Sequence, residues 1–185
     1  MTKIVYAGLL GVAQDILGII EHVDFKQLDA ELHIYGGGNQ KEAIKRYIVE
    51  HTDSNIFFHG SVEAEQMNGV LAQYDASLIP LVTYIKGAVP SKIFDNMPLG
   101  LPILFCGEGE GAAIIQQYQL GWVSPPLDYR ALAKNIQLLS GMSTQELKQM
   151  AERGRELSKK EFNFDQQMED CYQFISKIVG EEANI

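Results

Sequence analysis

Six short apolar, β-branched runs alternate with stretches of helical periodicity, and Gly or Pro marks the joints; this feature constrains the fold most. Ile4-Val5-Tyr6, Leu32-His33-Ile34-Tyr35, Ile56-Phe57-Phe58, Ser77-Leu78-Ile79, Pro102-Ile103-Leu104-Phe105 and Gly121-Trp122-Val123 read as strands. Between them Ile16, Leu17, Ile19, Ile20 and Val23 repeat at helical spacing, as do Ala43, Ile44, Tyr47 and Ile48. Met67, Val70, Leu71 and Tyr74 form an i, i+3, i+4, i+7 stripe. Helices are also expected over Ser91–Leu99 and Gly111–Tyr118. Three more close the chain. Asp128 caps the first, Ser143 with Glu146 forms a capping box for the second, and the last runs from about Phe164 to Val179. Such alternation predicts an α/β fold. It is a doubly wound, Rossmann-like parallel sheet of about six strands with helices on both faces. At 185 residues the chain is expected to form one domain, residues 1–185.

Composition narrows the function. The formal net charge is −9, which argues against nucleic acid as a partner. Cys106 and Cys171 stand far apart and outside any CxxC, as expected of free thiols in a reducing cytoplasm. No apolar run reaches the roughly 18 residues of a membrane span, and no signal-peptide core follows Met1. A cytoplasmic chain is the expectation.

In an open parallel sheet, ligands bind beyond the carboxyl ends of the strands. The loops there are residues 7–14, 36–40, 60–62, 81–90 and 107–111, four of them glycine-rich. Glycine admits an anion close to backbone N–H groups, and a helix N-terminus adds partial positive charge. This makes a phosphate-binding edge without a basic patch. Familiar signatures are missing. Gly36-Gly37-Gly38 lacks the later glycine of the dinucleotide fingerprint, Lys41 standing in its place, and there is no P-loop or GxSxG. His22, His33, His51 and His59 read as isolated structural histidines rather than metal ligands. Glu63 and Glu65 read as the start of a helix, while Glu108 and Glu110 lie on the ligand edge with their role open.

The most informative segment runs from Ala88 to Leu104. Pro90 disfavours helix before it, and Ser91 is expected as an N-cap. Ser91 and Asp95 share a helix face, and Lys92 and Asp95 are spaced to meet. A carboxylate there suits a ribose diol; the lysine and the N-terminal N–H groups suit a diphosphate.

This segment, Pro90-Ser91-Lys92-Ile93-Phe94-Asp95 followed by Gly100-Leu101-Pro102-Ile103, resembles the nucleotide-sugar signature of retaining GT-B glycosyltransferases, group 1, family 4. Other landmarks resemble the family in the same order: Tyr6 to Gln14, Leu32 to Gly38, Ile56 to Val62, Tyr74 to Pro80, and Gly121-Trp122-Val123. The resemblance implies the C-terminal, donor-binding domain of such an enzyme. The N-terminal acceptor-binding domain would be absent. Transfer of a hexosyl unit to an acceptor sugar or lipid-linked sugar would occur in the cleft between domains, with retention and without a metal or other cofactor. Cell-surface polysaccharide or lipid-linked sugar synthesis is the implied setting, at the inner membrane as a peripheral protein. The isolated domain would bind donor and transfer nothing.

Residue by residue, the resemblance implies that Asp95 holds the ribose hydroxyls. Gly8 and Gly11 approach the diphosphate with Gly109 and Gly111. Ser61, Val62 and Pro90 border the base. Ser91, Lys92, Gly36 and Gly38 complete the substrate edge. No general base stands out. Four departures are visible. Gly87 occupies the place of the family's other signature Glu, Asp95 is one methylene shorter than Glu, residues 9–18 carry no basic side chain, and the chain is about half of a two-domain enzyme. A nucleotide-sugar 2-epimerase and a degenerate, non-catalytic nucleotide-sugar-binding subunit are the alternatives. The family's last helix crosses back to the first domain, so an exposed apolar patch is expected on it.

Overall fold

The computed structural model describes residues 1–182. Its strands are β1 Thr2–Ala7, β2 Ala30–Tyr35, β3 Ile56–Gly60, β4 Ala76–Pro80, β5 Ile103–Cys106 and β6 Gly121–Ser124. All pair in parallel, in the order β3-β2-β1-β4-β5-β6. The helices are α1 Ile16–His22, α2 Lys41–Glu50, α3 Ala64–Leu71, α4 Lys92–Asn96, α5 Glu110–Gln117, α6 Tyr129–Ser140, α7 Thr144–Lys160 and α8 Phe164–Glu182. The expected doubly wound α/β sheet is therefore present.

The two-residue period of each strand sorts side chains between the faces. Ile4, Tyr6, Leu32, Ile34, Leu78, Leu104 and Cys106 pack on one face against Ile16, Ile19 and Ile20 of α1, Ile44 of α2, and Leu132 and Ile136 of α6. Ile79, Ile103 and Phe105 face the other way, against Ile93, Met97, Ala112 and Ile115. Each fully buried Leu or Ile contributes roughly 1.5–3 kcal/mol, so this two-sided core dominates the stability. β4 and β5 are buried along their whole length, as central parallel strands require.

The caps expected after β6 are present. Asp128 accepts from the Ala131 N–H at 2.9 Å, and Ser143 and Glu146 form the reciprocal capping box. Three local expectations are corrected. The stripe ending at Tyr74 belongs to a helix that stops at Leu71. The Ser91–Leu99 helix is only α4, Lys92–Asn96. Pro98 has no N–H to extend it, and Gly100, at φ 66°, closes the turn by donating to the Met97 carbonyl. Ser91 does not cap α4 with its side chain. Its backbone is already helical, and it acts through its carbonyl, which accepts from Phe94 and Asp95.

The long C-terminal helix stands apart. Phe164, Met168, Tyr172, Ile175, Ile178 and Val179 are all exposed on α8, which matches the apolar patch expected there. Among the described residues, no helix is long and apolar enough to cross a membrane.

Candidate functional site

Strand order reverses between β1 and β4, and there the loops after the two strands diverge. A cavity of about 650 Å³ opens at this point, between α3 and α4. Its lining brings together Gly8, Val62, Ser91, Lys92 and Asp95, five of the residues singled out by sequence. Apolar walls come from Met67, Leu71 and Leu99. A second cavity, about 540 Å³, lies at the opposite end of the strands around Asp24, Lys26 and Asp53, away from the loops of interest.

Lys92 and Asp95 do not pair. Instead Lys92 reaches over β1, where a Cβ built on Gly8 would lie 2.9 Å from its Nζ and 2.7 Å from its Cε. The ammonium therefore sits on the first glycine loop, and the Asp95 carboxylate stays exposed at the mouth. The two charges are offered separately: the cation beside backbone N–H groups, the carboxylate to hydroxyls. Below them Asn96, only 2% exposed, donates to the Lys92 carbonyl at 2.7 Å and to Ser77 Oγ at 3.3 Å. Its Oδ1 has no partner among the described residues. Nothing in the spacing of the segment singles out this buried acceptor.

Gly36 and Gly38 sit behind the first loop rather than facing the cavity. A Cβ on Gly36 would lie 1.8 Å from the Gly8 carbonyl oxygen, and one on Gly38 would lie 2.4 Å from that of Leu10. Backbone bonds from Gly8 N–H to Tyr35 O at 2.9 Å and from Leu10 N–H to Gly37 O at 2.8 Å join the two loops. Tyr6 adds its buried hydroxyl to the Leu9 carbonyl, 2.5 Å away, and burial pushes the phenol far above its ordinary pKa. Gly11 lies in the same loop, its open side covered by the Gln14 amide, and Ser61 Oγ lies against Gly37.

The Gly109–Gly111 turn has a lid. Gly109 has φ 78°, and the Tyr84 ring covers it so closely that a Cβ would meet the ring at 2.1 Å. Gly111 packs on Pro90 and Ile93. On the other side of the sheet edge, the Tyr129 hydroxyl donates to Asp15 at 2.7 Å and raises its own pKa mainly through lost water, to about 12.

The histidines are not all isolated. His33 Nδ1 and His59 Nε2 are 2.9 Å apart, and His33 Nε2 lies 3.1 Å from Glu31. Side chains on neighbouring parallel strands share a face, which brings residues distant in sequence into one row. An ionised Glu31 can only accept, so His33 donates to it from Nε2–H, and in that tautomer His33 Nδ1 accepts a hydrogen bond from His59 Nε2–H. The His59 ring also lies on Tyr35, with centroids 4.5 Å apart. Lost water, and then the neighbouring His33, lower its pKa. Among the described residues, no group of three His, Cys, Asp or Glu is placed to hold a metal ion. Cys106 and Cys171 are both unbridged.

The fold is one Rossmann-like half of the GT-B architecture. The model of the family described as Glycosyl transferases group 1 matches residues 3–141, and the chain belongs to that family. It is 30% identical over 135 residues to the probable glycosyltransferase WbjE of Pseudomonas aeruginosa, covering 71% of this chain and 34% of that protein. It is 29% identical over 112 residues to the putative colanic acid biosynthesis glycosyltransferase WcaL of Escherichia coli K12, covering 59% and 27%. The chain thus spans only between about a quarter and a third of the length of these relatives. Among solved structures, Anabaena HepE in complex with UDP superposes with a TM-score of 0.78 at 14% identity, covering 95% of this chain and 48% of that one. Pneumococcal GtfA, in complex with UDP and GlcNAc, gives 0.75 at 18% identity, covering 96% and 36%. These structural likenesses are likenesses of fold.

Proposed function

We propose that the chain is the nucleotide-sugar-binding, C-terminal half of a retaining glycosyltransferase. One observation carries this reading: Gly8, Val62, Lys92 and Asp95 line a single cavity at the point where strand order reverses. Asp95 takes the ribose diol. Lys92 takes the diphosphate, together with those N–H groups of the first glycine loop that are not already donated to Tyr35 and Gly37, and Val62 borders the base with Ser61 and Pro90. Catalysis on this side of the cleft is positional and electrostatic: the donor is held, and charge growing on the leaving diphosphate meets a fixed ammonium and fixed dipoles. The acceptor, a sugar or lipid-linked sugar, attacks from an N-terminal domain outside these residues, so the donor-binding domain by itself transfers nothing. Metal-independent hexosyl transfer, in the cytoplasm or at the inner membrane, belongs to the same reading. The similarity to WcaL, a putative colanic acid biosynthesis glycosyltransferase, supports a cell-surface polysaccharide setting.

The test is calorimetric titration with UDP, GDP and ADP, beside Asp95→Ala. One nucleotide is expected to bind, and the variant to weaken it at least tenfold, the loss of a charged hydrogen-bond acceptor. A hundredfold excess over Kd would also stabilise the fold by about 2.7 kcal/mol. Binding by none of the three, or binding indifferent to Asp95, would remove the reading.

A further inference from the structure

Ile93, Asn96 and Met97 form the buried i, i+3, i+4 stripe of α4 and its end. Ile93 and Met97 pack with Ile79, Ile103 and Phe105, so the position between them is a core position held by an amide. Asn96 Nδ2 donates to the Lys92 carbonyl at 2.7 Å and to Ser77 Oγ at 3.3 Å. A carbonyl can only accept, which fixes the orientation of the amide. The other end, Oδ1, is buried without a partner among the described residues. An apolar side chain at this place would carry no such penalty. Packing of the core alone therefore does not select Asn96.

What the amide secures is the root of Lys92. With five residues, α4 is too short to hold its own place. Ser77 stands on β4, in register with Val5 of β1 and Ile103 of β5. β1 runs on into Gly8, over which Lys92 lays its Cε and Nζ. One side chain thus joins the main chain of Lys92 to the strand beside the one that leads to Gly8. A long flexible stem magnifies any shift at its base, and displacements near 1 Å are enough to spoil a binding geometry. We propose that Asn96 is a positioning residue for nucleotide binding: clamped to Ser77, it holds Lys92 by the carbonyl so that the ammonium stays over the first glycine loop and meets the diphosphate. It acts through Lys92 rather than on the ligand. The inference rests on the nucleotide-sugar reading, in which Lys92 carries the charge offered to the diphosphate. The unpaired Oδ1 is stability given up for that placement.

The experiment titrates UDP, GDP and ADP into the wild-type chain, Ser77→Ala, Asn96→Leu/Ser77→Ala, Lys92→Met, and Lys92→Met combined with each of the first two, with urea midpoints read alongside. Asn96→Leu/Ser77→Ala replaces both hydrogen-bonding side chains by apolar ones, so it is expected to unfold at or above the wild-type midpoint. Its affinity for the nucleotide that the wild type binds is expected to fall about tenfold. In the Lys92→Met background the same two changes should cost less than about twofold, because the group they position is gone. Ser77→Ala alone keeps the bond to Lys92 and should weaken binding by about threefold, again only with Lys92 present. It supplies the comparison if the leucine variant does not fold. Equal losses in the two backgrounds overturn the proposal, since they mark a role in folding alone. Wild-type affinity in the Asn96 and Ser77 variants overturns it too. So does wild-type affinity in Lys92→Met, although binding that still depends on Asp95 would leave the donor reading standing. Absence of any nucleotide binding by the wild-type chain overturns the donor reading and this proposal together.

Discussion

Gly36 lies against Gly8 so closely that a single methyl group on it would sit 1.8 Å from the Gly8 carbonyl oxygen. The second glycine loop is thus the backing of the first, and its missing side chains set the position of backbone groups on the neighbouring strand. Gly36→Ala should destabilise the fold by roughly 1–3 kcal/mol, because the clash is with backbone and cannot be relieved by a rotamer change. It should also weaken nucleotide binding through the displaced Gly8. An unchanged urea midpoint would show that the loops separate easily.

Lys92 covers Gly8 and pairs with no carboxylate among the described residues, so its charge is free for a ligand. Lys92→Met keeps the aliphatic stem and removes the ammonium. Nucleoside-diphosphate affinity is expected to fall about tenfold, and its dependence on salt to weaken. Unfolding stability should stay within about 0.5 kcal/mol of wild type. Titrations at two ionic strengths check both parts, and an affinity equal to wild type would place the diphosphate elsewhere.

His59 carries a pH signature. Burial against Tyr35, and then the neighbouring His33, lower its pKa in the folded chain. The unfolded chain therefore binds more protons, and stability rises with pH between the lowered value and the ordinary 6.5. Lowering pH from about 6.5 toward the lowered value should cost stability, and His59→Gln should flatten that part of the profile. Glu31, His33, Tyr35 and Tyr74 share the row, so His33→Gln is the control for a coupled titration. Urea unfolding at several pH values measures the slope; identical slopes in wild type and His59→Gln would contradict the assignment.

Tyr129 fastens the start of α6 to Asp15 in the first loop. Tyr129→Phe removes the hydroxyl and leaves the ring stacked on His22, with centroids 4.6 Å apart. The expected loss is about 1 kcal/mol, read from thermal or urea unfolding. A change near zero would mean that water replaces the bond at no cost.

Much of the architecture is legible from residue order alone, for definite reasons. Runs such as Ile4-Val5-Tyr6 and Ile103-Leu104 are apolar throughout, and strands buried on both faces need that pattern. Asp128 and Ser143 cap helices through local bonds, which spacing exposes. Ser91 misleads because cap preference presumes an extended backbone, whereas the chain already turns at Pro90. The His33–His59 contact and the Gly87–Glu110 bond join residues 26 and 23 positions apart. Register and loop folding bring these together, and no local pattern encodes them. Lys92 could meet Asp95 on spacing grounds, yet its long stem crosses to another strand, a choice made by tertiary packing.

The two halves of the sheet meet along a narrow joint. β1 matches β2 over six residue pairs but matches β4 at only two, Ile4 with Ala76 and Val5 with Ser77. A molecule held by Gly8 on one side and Asp95 on the other would straddle that joint and act as a clasp between the two halves. Since one apolar core already spans both halves, occupancy should tighten that joint further and raise the temperature at which the sheet melts.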